Sequence, residues 1–285
     1  MTDLLTKILI KILSIKPVKK MAFKYFVYRF VASEEMESAL LKAKSLNEKG
    51  ITAIINYLGE KSTNLEKIKK NVNIYCHLAQ EISTKNLNAR ISIKPSQLGL
   101  KINENLYFKN LFLIGTVCFQ CNIPLEVDME EFSEIETIVK MTILLKQHLP
   151  NLRVRQCVQI AAKRSVKDVK KLTDIGIHIR LCKGAYKIPL SEKLLPADYA
   201  PIRMLIYANC ILPSFVEIAT HDMEIINKLK GEIGVQLLNG FPTKRIPLIQ
   251  RFHRIAIYVP FGPEWVPYGI RRLFYLIKNR SKIFE

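Results

Sequence analysis

Two arginines stand side by side at Arg271 and Arg272, shortly after an apolar run over 255–259 and an aromatic-rich loop that contains Pro260, Gly262 and Trp265. A guanidinium offers a rigid fork of donors that meets both oxygens of a carboxylate. A pair of them, on a helix that starts after a strand end, would fix the position and the orientation of a small acid. The same pair in so basic a chain also reads as a solvated patch, because charge runs usually face water. Other chemistry-bearing residues recur just after short β-branched runs: Asn56 and Glu60; Lys94, Ser96 and Gln97; Asp128 and Glu130; Gln159; Arg180, Lys183, Gly184, Ala185 and Tyr186; Thr220, His221 and Asp222; Gln236 and Asn239; Tyr258, with Tyr268 just ahead of the arginines. The cations fall into two groups. Lys94, Arg271 and Arg272 suit a small acid. Arg180, Lys183 and the backbone around Gly184 suit a larger anion such as a pyrophosphate, since glycine lets a ligand approach the chain closely. Nothing here has the order of a nucleophile-and-base hydrolase.

The elements that must position these groups follow a rhythm. Apolar, β-branched runs are read at 51–58, 89–93, 124–128, 154–160, 177–181, 215–219, 234–238 and 255–259. Segments with apolar residues at helical spacing lie between them, for example Leu65, Ile68, Val72 and Tyr75. Gly50, Gly176 and Gly231 stand where helices are expected to end. Eight strand–helix units in about 230 residues predict a (β/α)8 TIM barrel, distorted, in which residues past the strand ends converge on one mouth. The alternative, an open doubly wound sheet, lacks its glycine fingerprint. The barrel is expected over 50–285, preceded by a helical arm over 1–49. Strand eight is expected to break at Pro260 and Gly262.

Composition narrows the function classes. The chain has 285 residues, 49% of them hydrophobic, and a formal net charge of +19. That charge attracts anions, but the lysines are spread along the chain without interleaved aromatic residues, so no nucleic-acid partner is expected. Six cysteines in a chain this long are not a disulfide scaffold. Cys118 and Cys121 have the spacing of a redox or metal pair but no second pair to match. His221–Asp222 reads as a hydrogen-bonding pair rather than part of a metal site, and no metal is expected. No apolar run reaches the ~18 residues of a spanning helix. The N-terminal stretch, with Leu4, Leu5, Ile8, Ile12 and Ile15 among Lys7, Lys11, Lys16, Lys19, Lys20 and Lys24, is amphipathic and basic. It suits a helix that docks on the barrel or packs in an oligomer, or one lying on an anionic membrane surface.

Several of these segments resemble the proline dehydrogenase family. They are 180–186 (Arg-Leu-Cys-Lys-Gly-Ala-Tyr), 219–222 (Ala-Thr-His-Asp) and the segment from Tyr258 to Arg272. Leu58–Glu60, Ile93–Gly99, Val127–Glu130 and Val158–Gln159 match as well, in the family's order and spacing, over roughly residues 25–280. The resemblance implies a distorted TIM barrel with FAD at its mouth. It implies oxidation of L-proline to Δ1-pyrroline-5-carboxylate with electrons passed to a quinone, often at a membrane. A cytoplasmic protein is expected, whose basic N-terminal arm is one candidate for a peripheral contact with the inner membrane surface. By the same resemblance Arg271 and Arg272 hold the substrate carboxylate with help from Lys94, Asp128 organises Lys94, and Tyr258 and Tyr268 pack the substrate ring. Glu60 pairs with an arginine of the C-terminal helix. Arg180 and Gln159 lie against the flavin ring, and Lys183, Gly184, Ala185, Tyr186, Thr220 and His221 line the cofactor.

The chain departs from the family at a few positions. Asn56 stands where an acid is usual, Tyr275 where a glutamate is usual, and Asn239 where a larger ring is common; the loop 159–162 is less aromatic. None is part of the carboxylate clamp. They leave open a second reading, a divergent, non-catalytic barrel that binds flavin or a small carboxylate.

Overall fold

The structure, a computed structural model, describes residues 11–13, 15–194, 199–211, 214–240 and 243–278. Eight parallel strands close into a barrel in sequence order: β1 (Thr52–Tyr57), β2 (Ala89–Ile93), β3 (Leu125–Val127), β4 (Val154–Gln159), β5 (His178–Cys182), β6 (Val216–Ala219), β7 (Gly234–Leu238) and β8 (Arg254–Phe261). β1 pairs with β8 and completes the ring. The expected (β/α)8 architecture is therefore present, and each of the eight apolar runs holds a strand.

The strands alternate in character. Ile91, Ile93, Val127, Val158, Leu181, Ile218 and Val235 are buried in the main core, which the surrounding helices cover. Many of the intervening positions, among them Arg90, Glu126, Arg155, Arg180, Glu217 and Gln236, are polar, and they fill the barrel's interior. Helices α3 (Leu65–Thr84) and α4 (Glu104–Gln120) follow β1 and β2. Each begins at an asparagine, Asn64 or Asn103, whose side chain accepts from a first-turn amide. Beyond β3 and β4 run α5 (Ile135–His148) and α6 (Ser165–Thr173). Cys118 is buried and Cys121 half-buried near the end of α4, and no cluster among the described residues could hold a metal.

The ring is sealed unusually. The groove between β8 and β1 is covered by a helix from before the barrel, α2 (Met36–Asn47), which buries Ala39, Leu40, Ala43 and Leu46 there. The last helix, α10 (Val266–Lys278), is thereby released from that position. It packs in a second apolar cluster, where Trp265, Val266, Tyr268 and Ile270 meet Leu58 from the end of β1 and Val27, Phe30 and Val31 from the arm. Helix α1 (Lys16–Tyr25) leans on the same cluster through Ala22 and Phe23, and the Phe23 and Trp265 ring centroids are 5.4 Å apart. The Trp265 indole donates to Glu34 at 2.9 Å, and Lys19 pairs with Glu34 at 3.0 Å. The arm is docked along this inner face. Leu4, Leu5, Lys7 and Ile8 of the basic stretch lie outside the described residues.

β8 does not break at Pro260. It continues to Phe261, pairing Asn56 with Pro260 and Tyr57 with Phe261. The Pro260 carbonyl points away from β1 and accepts from the Ala32 amide at 2.9 Å. The proline nitrogen lies on that same edge, past the last β7 pair at Tyr258, so the missing N–H costs no ladder bond.

Candidate active site

The inward polar residues form a layered ionic network. Arg90 on β2 makes a two-point contact with Glu217 on β6, both at 2.8 Å, and reaches Glu126 on β3 at 2.9 Å. Arg155 on β4 bonds Glu126 and Glu217, each at 3.1 Å. Gln236 on β7 donates to both glutamates. Glu217 needs room, and β7 gives it at Gly234: a Cβ there would stand 2.3 Å from the Glu217 Cγ. Burial raises the pKa of Glu217, but Arg90 and Arg155 outweigh it and hold the carboxyl at about 2.

Arg180 on β5 links this floor to the mouth. Its guanidinium donates to Glu126 at 3.1 Å and to Asp128, just past β3, at 2.6 Å. Asp128 also accepts from Ser92 Oγ at 2.7 Å, Lys94 Nζ at 3.0 Å and the Tyr258 hydroxyl at 3.2 Å. Burial disfavours its charge, yet Lys94 and Arg180 hold the carboxyl well below the usual range. Burial likewise works against the Lys94 charge, and Asp128 outweighs it. Four cations (Arg90, Arg155, Arg180, Lys94) thus face three carboxylates (Glu126, Glu217, Asp128) in this network. The mouth keeps a positive bias.

Above it, α10 carries the arginine pair, and the two arginines differ. Arg271 is largely exposed and binds both oxygens of Glu60 from the β1 loop, one at 3.2 Å. Arg272 has no acidic partner among the described residues. Its guanidinium lies over the Tyr268 ring, 5.2 Å from the centroid, and over Tyr275 at 5.6 Å. The Arg272 Nε and the Tyr268 hydroxyl are both buried without a hydrogen-bond partner. Burial raises the Tyr268 pKa against the pull of Arg272, Arg271 and Lys94, so these groups share one space.

The other side of the mouth comes from β4, β5 and β6. Gln159 donates to the Glu130 carbonyl at 3.0 Å and accepts from the Tyr186 amide at 3.3 Å, pinning the loop after β5. Within that loop Gly184 has φ +125 and is exposed, as is Ala185. Lys183 bonds Asp222 at 2.5 Å. The Thr220 hydroxyl accepts from the Asp222 amide at 3.1 Å. The Asp222 carboxylate is taken by Lys183, while His221 Nε2 accepts from the Leu238 amide at 3.0 Å. Burial first, then Arg272 and Arg245, hold its pKa at about 4, so the ring is neutral. Tyr186 is pushed up to about 12 by burial, opposed by Lys94 and reinforced by Glu130, Glu60 and Asp128. The β5 loop and the arginine helix therefore face the same mouth.

Two cavities of about 460 and 400 Å³ lie at the opposite, N-terminal end of the barrel, sharing Asn88 and Arg90. None of the expected site residues lines them. The chemistry-bearing groups gather at the strand C-termini, where barrels of this kind place their sites.

The sequence model of the family described as proline dehydrogenase matches residues 39–188. Proline dehydrogenase 1 of Bacillus subtilis (strain 168) is 30% identical over 259 residues, covering 86% of this chain and 85% of that protein. This chain belongs to the proline dehydrogenase family. Proline dehydrogenase of Deinococcus radiodurans is 25% identical over 275 residues, 90% of this chain and 88% of that one. Among solved structures, proline utilization A (PutA) from Bdellovibrio bacteriovorus, inactivated by N-propargylglycine, superposes with a TM-score of 0.77 at 17% identity, over 94% of this chain. PutA from Corynebacterium freiburgense gives 0.72 at 16% identity over 99%. This chain spans about a third, 34%, of either PutA chain. At that identity the PutA likeness concerns the fold.

Against this proline dehydrogenase background, two residues expected at the mouth lie one layer deeper. Arg180 and Gln236 are buried mid-strand and spent on carboxylates. Sequence reading passed over Arg90, Glu126, Arg155 and Glu217 altogether. Their signal was the period-two alternation in 90–94, 125–128 and 215–219. Once helices cover the apolar face, that pattern obliges the polar face to point inward. Of the departures from the family pattern, Asn56 donates to the Ser92 carbonyl at 2.8 Å with its Oδ1 unpartnered, Asn239 ties to the Arg29 carbonyl at 3.1 Å, and Tyr275 supports Arg272.

Proposed function

We propose that this chain oxidises L-proline to Δ1-pyrroline-5-carboxylate, with FAD as its flavin and a quinone as electron acceptor. The observation that carries the reading is Arg272: a half-buried guanidinium without an acidic partner among the described residues, lying over the ring of Tyr268, which also feels the charges of Lys94 and Asp128. A carboxylate bound there completes an ion pair that the protein leaves open, and a fork-to-carboxylate contact fixes its orientation. Glu60 holds Arg271 within reach of the same ligand. Tyr258 and Tyr268 wall the space for an apolar ring. Asp128 keeps Lys94 charged and in place, and α10 shields the site from water.

The β4–β6 side suits the flavin. Gly184, extended into a conformation that other residues rarely adopt, presents exposed backbone beside Lys183 and Ala185, and a Cβ there would press on Gln159 Oε1 at 3.2 Å. Phosphate oxygens fit against such a loop. Gln159, Tyr186, Thr220 and His221 would border the ring system, with Arg180 one layer beneath them. Bound there, FAD supplies the hydride acceptor. The positive bias of the network favours the negative charge that reduction brings.

A peripheral membrane contact fits the outer face of α1. Lys16, Lys20 and Lys24 are exposed there, with Met21 and Tyr25 63% and 67% exposed. Among the described residues no helix is long and apolar enough to cross a membrane. Sedimentation with anionic vesicles that is unchanged by removing residues 1–20 would leave the arm its docking role alone.

One observation favours the second reading, a barrel that binds flavin or a small carboxylate without turnover. The neutral Asn56, with its unpartnered Oδ1, stands where the family resemblance implies an acid. An anaerobic titration separates the two. Turnover requires a yellow protein whose flavin band bleaches with L-proline; a band that proline leaves intact supports the binding barrel. Protein that takes up no flavin from excess FAD ends the first reading and leaves only a barrel that binds a small carboxylate.

A further inference from the structure

Two thiols meet on the wall of the mouth. Cys157 on β4 and Cys182 on β5 have their sulfurs 3.5 Å apart, and both cysteines are free. The strand register explains the meeting. Cys157 pairs with Arg180 and Gln159 with Cys182, so both cysteines share the inward face with Arg180. Cys182 donates to the Val158 carbonyl at 3.5 Å and is half-buried, while Cys157 is 5% exposed. The other four cysteines are elsewhere: Cys76, Cys118 and Cys121 on the outer helices, and Cys210 at the end of α7 (Tyr199–Cys210).

We propose that Cys157 and Cys182 form a peroxide-sensitive thiol pair that closes reversibly to a disulfide between β4 and β5. The thiolate is the reactive form, and nearby cations favour it. Cys157 has such surroundings: the adjacent Cys182 sulfur, and then Arg180, lower its pKa against the effect of burial. The partly exposed Cys182 gives a small hydroperoxide its approach from the mouth.

The chemistry balances with hydrogen peroxide as the oxidant. One thiolate sulfur attacks peroxide and the O–O bond breaks, leaving a sulfenic acid and, after protonation, one water. The second thiol attacks that sulfur, an S–S bond forms, the S–O bond breaks, and a second water leaves. Two thiols are oxidised and peroxide is reduced to water. The sulfurs close from 3.5 Å to the ~2.0 Å of a disulfide. Closing draws the Cys157 sulfur away from Arg180, which also holds Asp128 and Glu126. Oxidation therefore acts on the residue that joins the floor to the mouth. The pairing does not depend on the proposed reaction.

The test uses the full chain. Hydrogen peroxide is added in graded amounts, thiols are counted after denaturation, and digests are sequenced by mass spectrometry without reduction. The expected result is loss of two of the six thiols, a peptide linking Cys157 to Cys182, and recovery of both thiols with dithiothreitol. Cys157→Ser and Cys182→Ser should each abolish the linked peptide, whereas Cys210→Ser should leave it. If a variant unfolds, the wild-type linkage map still decides. Oxidation that consumes Cys76, Cys121 or Cys210 first, or that carries Cys157 to sulfinic acid with no linked peptide, overturns the proposal.

Discussion

Arg180 Nη2 and Asp128 Oδ1 lie 2.6 Å apart, across the barrel from β5 to the end of β3. This contact joins the buried ionic floor to the open mouth, because Arg180 also holds Glu126 below and Asp128 also holds Lys94 and Tyr258 above. Removing one charge of a buried network costs more than the network contributes, since its partners are left uncompensated.

Asp128→Asn should therefore destabilise the fold by about 3–5 kcal/mol. Ser92→Ala, which removes a neutral donor from the same carboxylate, should cost about 1 kcal/mol. Chemical denaturation of both variants checks the ratio. Equal, small losses would mean that the Asp128 charge is not structural.

His221 gives a pH dependence of definite sign. Its folded pKa of about 4 lies below the ~6.5 of an unfolded histidine. The unfolded chain thus takes up the proton first as pH falls. Stability is full above pH ~6.5 and declines as the pH drops toward 4, by at most about 3 kcal/mol for this group. His178, also held at about 4 by burial and then Arg155, acts in the same window. His221→Gln should flatten part of the decline between those limits. An unfolding series from pH 7 to 4 with the wild-type slope retained would count against it.

Gly234→Ala tests the packing of the floor. The new methyl would meet Glu217 Cγ at 2.3 Å and push the carboxylate off Arg90 and Arg155. Overpacking of this kind costs about 1–3 kcal/mol before any ion pair is lost. The thermal midpoint of Gly234→Ala should drop by several degrees. An unchanged midpoint would show that Glu217 has room to move.

The two arginines should separate in kinetics, on the proposed reaction. Arg272→Met removes the guanidinium without an acidic partner and should raise KM for proline by roughly 100-fold, about 3 kcal/mol, with flavin content near normal. Arg271→Met should raise it severely as well. Glu60→Gln, which frees Arg271 but removes no donor from the substrate, should raise it by about 10-fold or less. Equal loss of flavin in the Arg272 variant would assign that residue to the cofactor instead.

How much of this was legible follows from which forces act locally. The strand starts were readable because β-branched runs such as 89–93 and 234–238 sit between turn signals. Gly50 and Gly176 could be assigned as helix ends, and both have positive φ. The convergence of Lys94, Asp128 and Tyr258 followed once a barrel was assumed, since strand ends share a mouth. The persistence of β8 through Pro260 was not legible. It depends on which edge the proline nitrogen faces, and the arm sets that edge through Ala32. Nor was the difference between Arg271 and Arg272 readable. It arises from Glu60, 211 positions away, and from tyrosines one helical turn to either side.

The use of α2 as the cover between β8 and β1 has a consequence for synthesis on the ribosome. This helix emerges ahead of every barrel strand and must wait for β8, the last of them, before its apolar face is fully covered. Contacts this distant along the chain slow the search for the native topology. Until the C-terminal strand is released, Leu40 and Leu46 remain available to chaperones and to neighbouring nascent chains.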